Sequence, residues 1–314
     1  MDIMFYQNYL RSMKLSSRNP FLFSLVISSL FFSTNNFAQK RLEIGPAIGI
    51  SFYQGDVLGS TIPEISSNVN LAGGIHAGYY FNDYMGVHLE LQRGKATGGD
   101  NFAEFPERRK RNLSFQTPVT NLGGRFDWEV TGYNPKQGRN FSLYGFAGGG
   151  ILFFNPKAEY KGKLYNLQPL GTEGQGLQKY PDRKPYKLYS PYLQFGGGLK
   201  FAVSENLNAG IEFSVYRTFT DYLDDVAGNY VPYTDILAEK GDYVAAALSN
   251  REGEFLNSDQ IVLRDADYGR GNAKVFDYYY VGTVKLTYNF YDPFGGKNAR
   301  RFSKLKNPRN CFRF

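Results

Sequence analysis

Eight stretches of alternating apolar and polar residues, joined by connections that are alternately short and long, most restrict how this 314-residue chain can fold. Successive side chains of a β-strand point to opposite faces, so strict alternation yields one apolar and one polar face. Leu71, Gly73, Ile75, Ala77, Tyr79 and Phe81 share one face, and Ala72, Gly74, His76, Gly78 and Tyr80 the other. Asn82-Asp83 reverses the chain. Met85, Val87, Leu89 and Leu91 then oppose Gly86, His88, Glu90 and Gln92.

The same pattern recurs over about 41–53, 117–131, 141–154, 190–203, 207–216 and up to Phe290. In the last of these, Val284, Leu286, Tyr288 and Phe290 oppose Thr283, Lys285, Thr287 and Asn289. Most runs reach the roughly 9–11 residues that a tilted strand needs to cross hydrocarbon, longer than the roughly 5–6 of soluble domains. Short connections at Asn82-Asp83, Gly132–Asn140 and Ser204–Asn206 alternate with long ones near 54–69, 94–112, 155–189 and 217–277. Tight periplasmic turns and long external loops give that asymmetry. The expected fold is all-β: an eight-stranded antiparallel transmembrane outer-membrane β-barrel with long extracellular loops, integral to the cell outer membrane.

A mean hydropathy of −0.41 is compatible with this, because half of each strand faces inward. The 25 Tyr and 27 Phe suit interfacial girdles. Residues 1–38 read as a secretory signal: Arg11, Lys14 and Arg18 precede the apolar run Phe21–Phe32, and Asn36-Phe37-Ala38 ends in a cleavable small residue. Met13 is an alternative start. Residues 39–292 are assigned to the barrel and 293–314 to a basic periplasmic tail, with seven cations including Arg300, Arg301 and Lys304 and no acid. With an even strand count the tail emerges on the side of the mature N terminus, and its charge suits acidic partners or anionic lipid. A periplasmic segment gives no reason to expect nucleic acid.

Chemistry has few footholds. His76 and His88 are the only histidines, both in phase with the polar faces, and no motif sets a serine beside either to make a nucleophile–base pair. No cofactor is expected. Cys311 is alone and cannot form an internal disulfide. Glu43, Glu90, Arg125, Asp127, Glu129, Lys200, Glu212 and Lys285 all fall on inward faces. Eight strands enclose barely enough space for side chains, so these charges must pair with one another, plugging the interior instead of lining a pore. Glycine triplets at 148–150 and 196–198 lack the strand–loop–helix order of phosphate loops and suit close packing in curved strands. The connection 217–277 is too long to be idle. It carries Asp221, Tyr222, Asp224 and Asp225, spaced unlike an EF-hand calcium loop, and a segment 236–249 of helical composition. Loops on a rigid scaffold usually carry binding function, which makes these four residues, with Arg300, Arg301 and Lys304 of the tail, the candidate partner contacts.

The run Phe213-Ser214-Val215-Tyr216-Arg217-Thr218-Phe219-Thr220-Asp221-Tyr222-Leu223-Asp224-Asp225-Val226, followed by Gly228-Asn229-Tyr230, resembles the region after the penultimate strand of PorG-like outer-membrane barrels of Bacteroidetes. Glu43-Ile44-Gly45 with Ser51-Phe52-Tyr53-Gln54-Gly55-Asp56 is similar to that family's first strand and loop. The resemblance implies a non-enzymatic structural or anchoring subunit of the type IX protein secretion system, associated with periplasmic ring proteins and set in outer-membrane lipid. The alternative is a stand-alone surface barrel whose long loops bind external ligands or partners. A third reading, a lipid-modifying enzyme using His76 or His88, has no motif behind it.

Overall fold

A computed structural model describes residues 40–59, 61–258, 260–272, 276–291 and 293. The expected signal peptide and nearly all of the basic tail, including Arg300, Arg301, Lys304 and Cys311, lie outside the described residues.

Ten strands form among the described residues: β1 (Arg41–Gln54), β2 (Asn70–Tyr80), β3 (Met85–Gly99), β4 (Ser114–Glu129), β5 (Phe141–Phe154), β6 (Lys157–Tyr160), β7 (Lys163–Asn166), β8 (Tyr189–Ala202), β9 (Leu207–Thr218) and β10 (Tyr278–Tyr291). Eight of them close a ring, β1-β2-β3-β4-β5-β8-β9-β10, in which β10 pairs antiparallel with β1. Each neighbouring pair is antiparallel, so no transmembrane edge is left unpaired. The seam registers Arg41 with Tyr291 and Gln54 with Tyr278. The hairpin β6–β7 sits in the third long loop.

The alternating faces separate as the sequence requires. Ile48, Leu71, Ile75, Leu89, Leu122 and Val284 project outward and are exposed, whereas Glu43, His76, Glu90, Arg125, Glu212 and Lys285 are buried inside. Outward aromatics gather at both rims. Trp128, Phe141, Phe201, Tyr288 and Phe290 stand at the short-turn end. At the other end the rings of Phe52 and Tyr280 stack 4.8 Å apart beside Phe213.

One strand outruns its expected limit. The long connection expected near 94–112 places the end of β3 near residue 93, but β3 continues to Gly99, whereas β10 begins at Tyr278, directly after the expected connection 217–277. Beyond the hydrocarbon neither face must be apolar. Lys95, Thr97 and Gly99 therefore pair with Pro118, Gln116 and Ser114 without writing an alternating signature. The 236–249 segment forms two helices instead of one: among the described residues the helices are α1 (Ile62–Ser66), α2 (Pro106–Arg111), α3 (Tyr233–Lys240), α4 (Tyr243–Ser249) and α5 (Glu252–Phe255). Gly241, at φ +63°, ends α3, and the Asp242 carboxylate caps α4 by accepting from the amides of Val244 and Ala245.

The glycine triplets lie in mid-strand. A β-carbon on inward Gly196 would sit 2.4 Å from the Phe146 ring, and one on Gly198 would sit 2.7 Å from that of Tyr144. They make room for two aromatics in the lumen. At the closing seam the space is taken by backbone: a β-carbon on Gly49 would fall 1.9 Å from the Gly282 carbonyl oxygen. Gly49→Val is therefore expected to cost about 1–3 kcal/mol through overpacking, read as a lowered urea midpoint for the barrel refolded in lipid vesicles.

Candidate functional site

The lumen contains a two-storey charge network. In the upper storey Arg125, projecting from β4, forms a bidentate pair with Glu212 of β9 at 2.8 and 2.6 Å. Its Nε lies 3.0 Å from Asp127 and its Nη1 3.5 Å from Glu90. Its plane covers the Phe146 ring at 3.9 Å. Lys285 of β10 also donates to Glu212. In the lower storey Lys200 bridges Glu43 at 3.1 Å and Glu129, and Arg41 lies within 3.8 Å of both carboxylates. The Arg41 guanidinium is sandwiched over Tyr80 and Tyr133, 4.1 and 4.9 Å from their centroids.

All eight inward charges expected from alternation meet in this network, and Arg41 joins them. Five carboxylates, Glu43, Glu90, Asp127, Glu129 and Glu212, face four permanent cations, Arg41, Arg125, Lys200 and Lys285. His76 lies 3.8 Å from Glu90, and His88 lies 3.3 Å from Asp127 and 3.0 Å from the Tyr80 hydroxyl. The void between these groups is about 10 Å³, the space of a single water. A lipid or peptide has no room to reach either histidine.

Above the network Tyr216 hydrogen-bonds Glu90 at 3.1 Å and Gln92 at 2.9 Å. Leu58, Leu223, Val226 and Leu248 from the long loops then close the mouth against Tyr53, Tyr192, Tyr216 and Tyr279. These loops form a cap tied down by buried ion pairs. Arg111 binds Asp100 at 2.8 and 2.7 Å and donates to the carbonyls of Asp56 and Arg270. Arg270 binds Glu173 at 3.1 Å and the Asp225 carbonyl at 2.7 Å.

The candidate loop residues sit inside this cap. Asp225 accepts from Thr172 and Tyr186, both at 2.5 Å, and Tyr186 stacks on Tyr222 at 4.3 Å. Asp224 accepts from the Tyr53 hydroxyl at 2.7 Å and from the Val57 and Val226 amides. Asp277 contacts the same Tyr53 hydroxyl at 2.5 Å and accepts from the Leu223 amide. Asp221 is 8% exposed, with neither carboxylate oxygen hydrogen-bonded. Asp224 and Asp225 thus present no carboxylate to an external partner in this conformation. Burial makes them ties between loops, and half-buried Tyr222 is their aromatic brace. Burial raises all four carboxyls: Asp224 to about 7, helped by the Asp56 charge, Asp221 to about 9, again with Asp56, Asp225 to about 6 against the opposing pull of Arg270, and Asp277 through Asp224 as well. Among the described residues no group of three or more acidic, histidine or cysteine side chains is arranged to hold a metal ion.

Sequence reading missed Tyr53, Asp100, Arg111, Glu173, Arg270 and Asp277 as cap organisers. Their partners stand up to 224 residues apart, and no local spacing marks them.

A closed eight-stranded barrel with an apolar exterior, aromatic rims and a filled polar lumen defines an integral outer-membrane protein. The chain belongs to the family described as "Outer membrane protein beta-barrel domain", whose model matches residues 24–236. No curated protein matches it in sequence. Among solved structures it is similar to the attachment invasion locus protein Ail of Yersinia pestis in complex with the heparin analogue sucrose octasulfate, at 13% identity over 81% of this chain and 99% of that one, TM-score 0.36. Neisserial surface protein A matches at 10% identity over 80% and 97% of the two chains, TM-score 0.35. The outer membrane protease OmpT of Escherichia coli matches at 10% identity over 80% and 97%, TM-score 0.31.

Proposed function

We propose that this barrel is a non-enzymatic structural or anchoring subunit of a type IX secretion complex, of the PorG-like kind, held in outer-membrane lipid and contacting periplasmic ring proteins. The observation that carries this reading is the filled interior: a lumen void of about 10 Å³ beneath a closed cap leaves surfaces, not a channel or a reaction chamber, as the working parts. The likeness of 213–226 and 228–230 to PorG-like barrels supports it. The basic segment 293–314, with Arg300, Arg301 and Lys304, is the proposed periplasmic contact, and residues 1–38 the secretory signal that brings the chain there.

A second reading, a stand-alone surface barrel, is favoured by a cleft of about 190 Å³ in the cap, flanked by Arg108, Lys110, Arg264, Tyr230 and Tyr268. Crosslinked purification of the tagged protein from outer membranes separates the two. Recovery of periplasmic ring subunits, lost when residues 297–314 are deleted, is the expected result. Recovery of the barrel alone, with secretion intact in a deletion strain, overturns the secretion role.

A further inference from the structure

The four lumen cations Arg41, Arg125, Lys200 and Lys285 are each matched with carboxylates. Cations on the outer wall are not, and three of them cluster on neighbouring strands. Arg93 and Lys95 of β3 and Lys157 of β6 alternate with buried Gln92, Ala96 and Ala158, which places them on the exterior. None of the three forms an ion pair within 4.0 Å among the described residues.

Strand register fixes their height. Leu91, Leu122 and Ile151 form one outward layer across β3, β4 and β5, and each is exposed. The next layer is Arg93, Thr120 and Phe153; above it stand Lys95 with Pro118, then Thr97, Gln116 and Lys157. Alternate residues of a strand are about 7 Å apart, so the first cation stands one such step beyond Leu91 and Leu122, level in register with the exposed ring of Phe153, on the long-loop side. That is where hydrocarbon gives way to headgroups. The outward neighbours Thr97, Gln116, Pro118 and Thr120 carry no acid, and the first outward acid, Glu159, stands farther from the membrane on β6. Long aliphatic stems can lie along the apolar strip while their charged ends reach the interface.

We propose that Arg93, Lys95 and Lys157 bind the phosphorylated headgroup of an outer-leaflet lipid, whose acyl chain runs down the strip Leu91, Leu89 and Leu122. Two side chains project from a β3–β4 hairpin fixed by continuous pairing to Gly99 and Ser114, so the patch is formed before the lipid arrives and its binding costs little ordering. Continuity with the lipid-facing strip favours a lipid over a soluble anion. Arg217, on the opposite wall, differs: it lies 5.7 Å from both the Phe219 and Phe276 rings and belongs to the aromatic rim.

The test is native mass spectrometry of the full chain titrated with phosphatidylglycerol or phosphatidylcholine in detergent. Selective retention of phosphatidylglycerol is expected, weakened about fivefold per cation removed and on the order of a hundredfold in R93Q/K95Q/K157Q. Lys179→Gln, a cap cation paired with Asp235 at 2.8 Å, is expected to retain wild-type affinity, and the heat-dependent gel shift of the barrel monitors folding in every variant. Should the triple variant fail to fold, Lys95→Gln alone carries the fivefold expectation. Unchanged retention in the folded variant, or equal retention of phosphatidylcholine, overturns the proposal. Displacement by inorganic phosphate at the same concentration as the lipid replaces it with a simple anion site.

Discussion

Arg125→Met is expected to destabilise the barrel by about 3–5 kcal/mol, because it removes one partner of a buried ion pair and strands the charges left behind. Arg125 is fully engaged: both Nη atoms hold Glu212, Nε faces Asp127, and Glu90 lies 3.5 Å away. Methionine fills the space over Phe146 but supplies no charge, leaving Lys285 as the only cation beside Glu212. A void of about 10 Å³ holds a single water, too little to solvate the stranded carboxylates. The loss is measured as the drop in unfolding free energy from urea titrations in lipid vesicles. Glu212→Gln added to Arg125→Met is expected to recover part of it, since the penalty lies mainly in the unmatched carboxylate. A single variant as stable as the wild type would mean that the network is incidental to the fold.

The second large effect is a loosening of the cap as pH rises. Tyr53 has one hydroxyl proton, yet its oxygen lies 2.7 Å from Asp224 and 2.5 Å from Asp277. The second contact is a hydrogen bond only if one carboxyl keeps its proton. Asp56 and Asp221 add negative charge nearby, and Arg111 is the cation that offsets Asp224. Carboxyls raised by burial bind more protons folded than unfolded, so cap stability falls as pH rises. The decline starts above the ordinary aspartate value, near 3.8, and is complete at about 7 for Asp224 and about 9 for Asp221. Limited proteolysis of the loop between Thr218 and Tyr278 is therefore expected to be slow at pH 5 and fast at pH 9.5. Asp221→Asn is expected to flatten the upper part of that profile. Tyr53→Phe is expected to cost about 1.5–3 kcal/mol, the worth of hydrogen bonds to charged groups, and to open the cap even at neutral pH. A pH-independent cleavage rate would count against the shared-proton arrangement.

These effects divide what was legible from what was not. Alternation in 71–81 and 85–92 alone assigned His76, Glu90 and Gln92 to the lumen and Leu71, Ile75, Leu89 and Leu91 to lipid, and all of them are found there. Strand phase is a local property with period two, and a membrane enforces it, since a slip of one residue would turn every charge into hydrocarbon. The same signal faded past residue 92, where β3 leaves the bilayer and no solvent imposes a phase.

By itself, then, the sequence determined the eight crossings, the inward set of charges, the side on which the long loops lie and the membrane that holds the protein. Only the tertiary structure decided which charges pair. It brought Arg125 to Glu212 across 87 residues and Tyr53 to Asp277 across 224, and it turned Asp224 and Asp225 from candidate surface contacts into buried ties of the cap. Pairing of this kind depends on barrel closure and loop folding, which bring together residues distant in the chain, whereas periodicity reports only the two faces of a single strand.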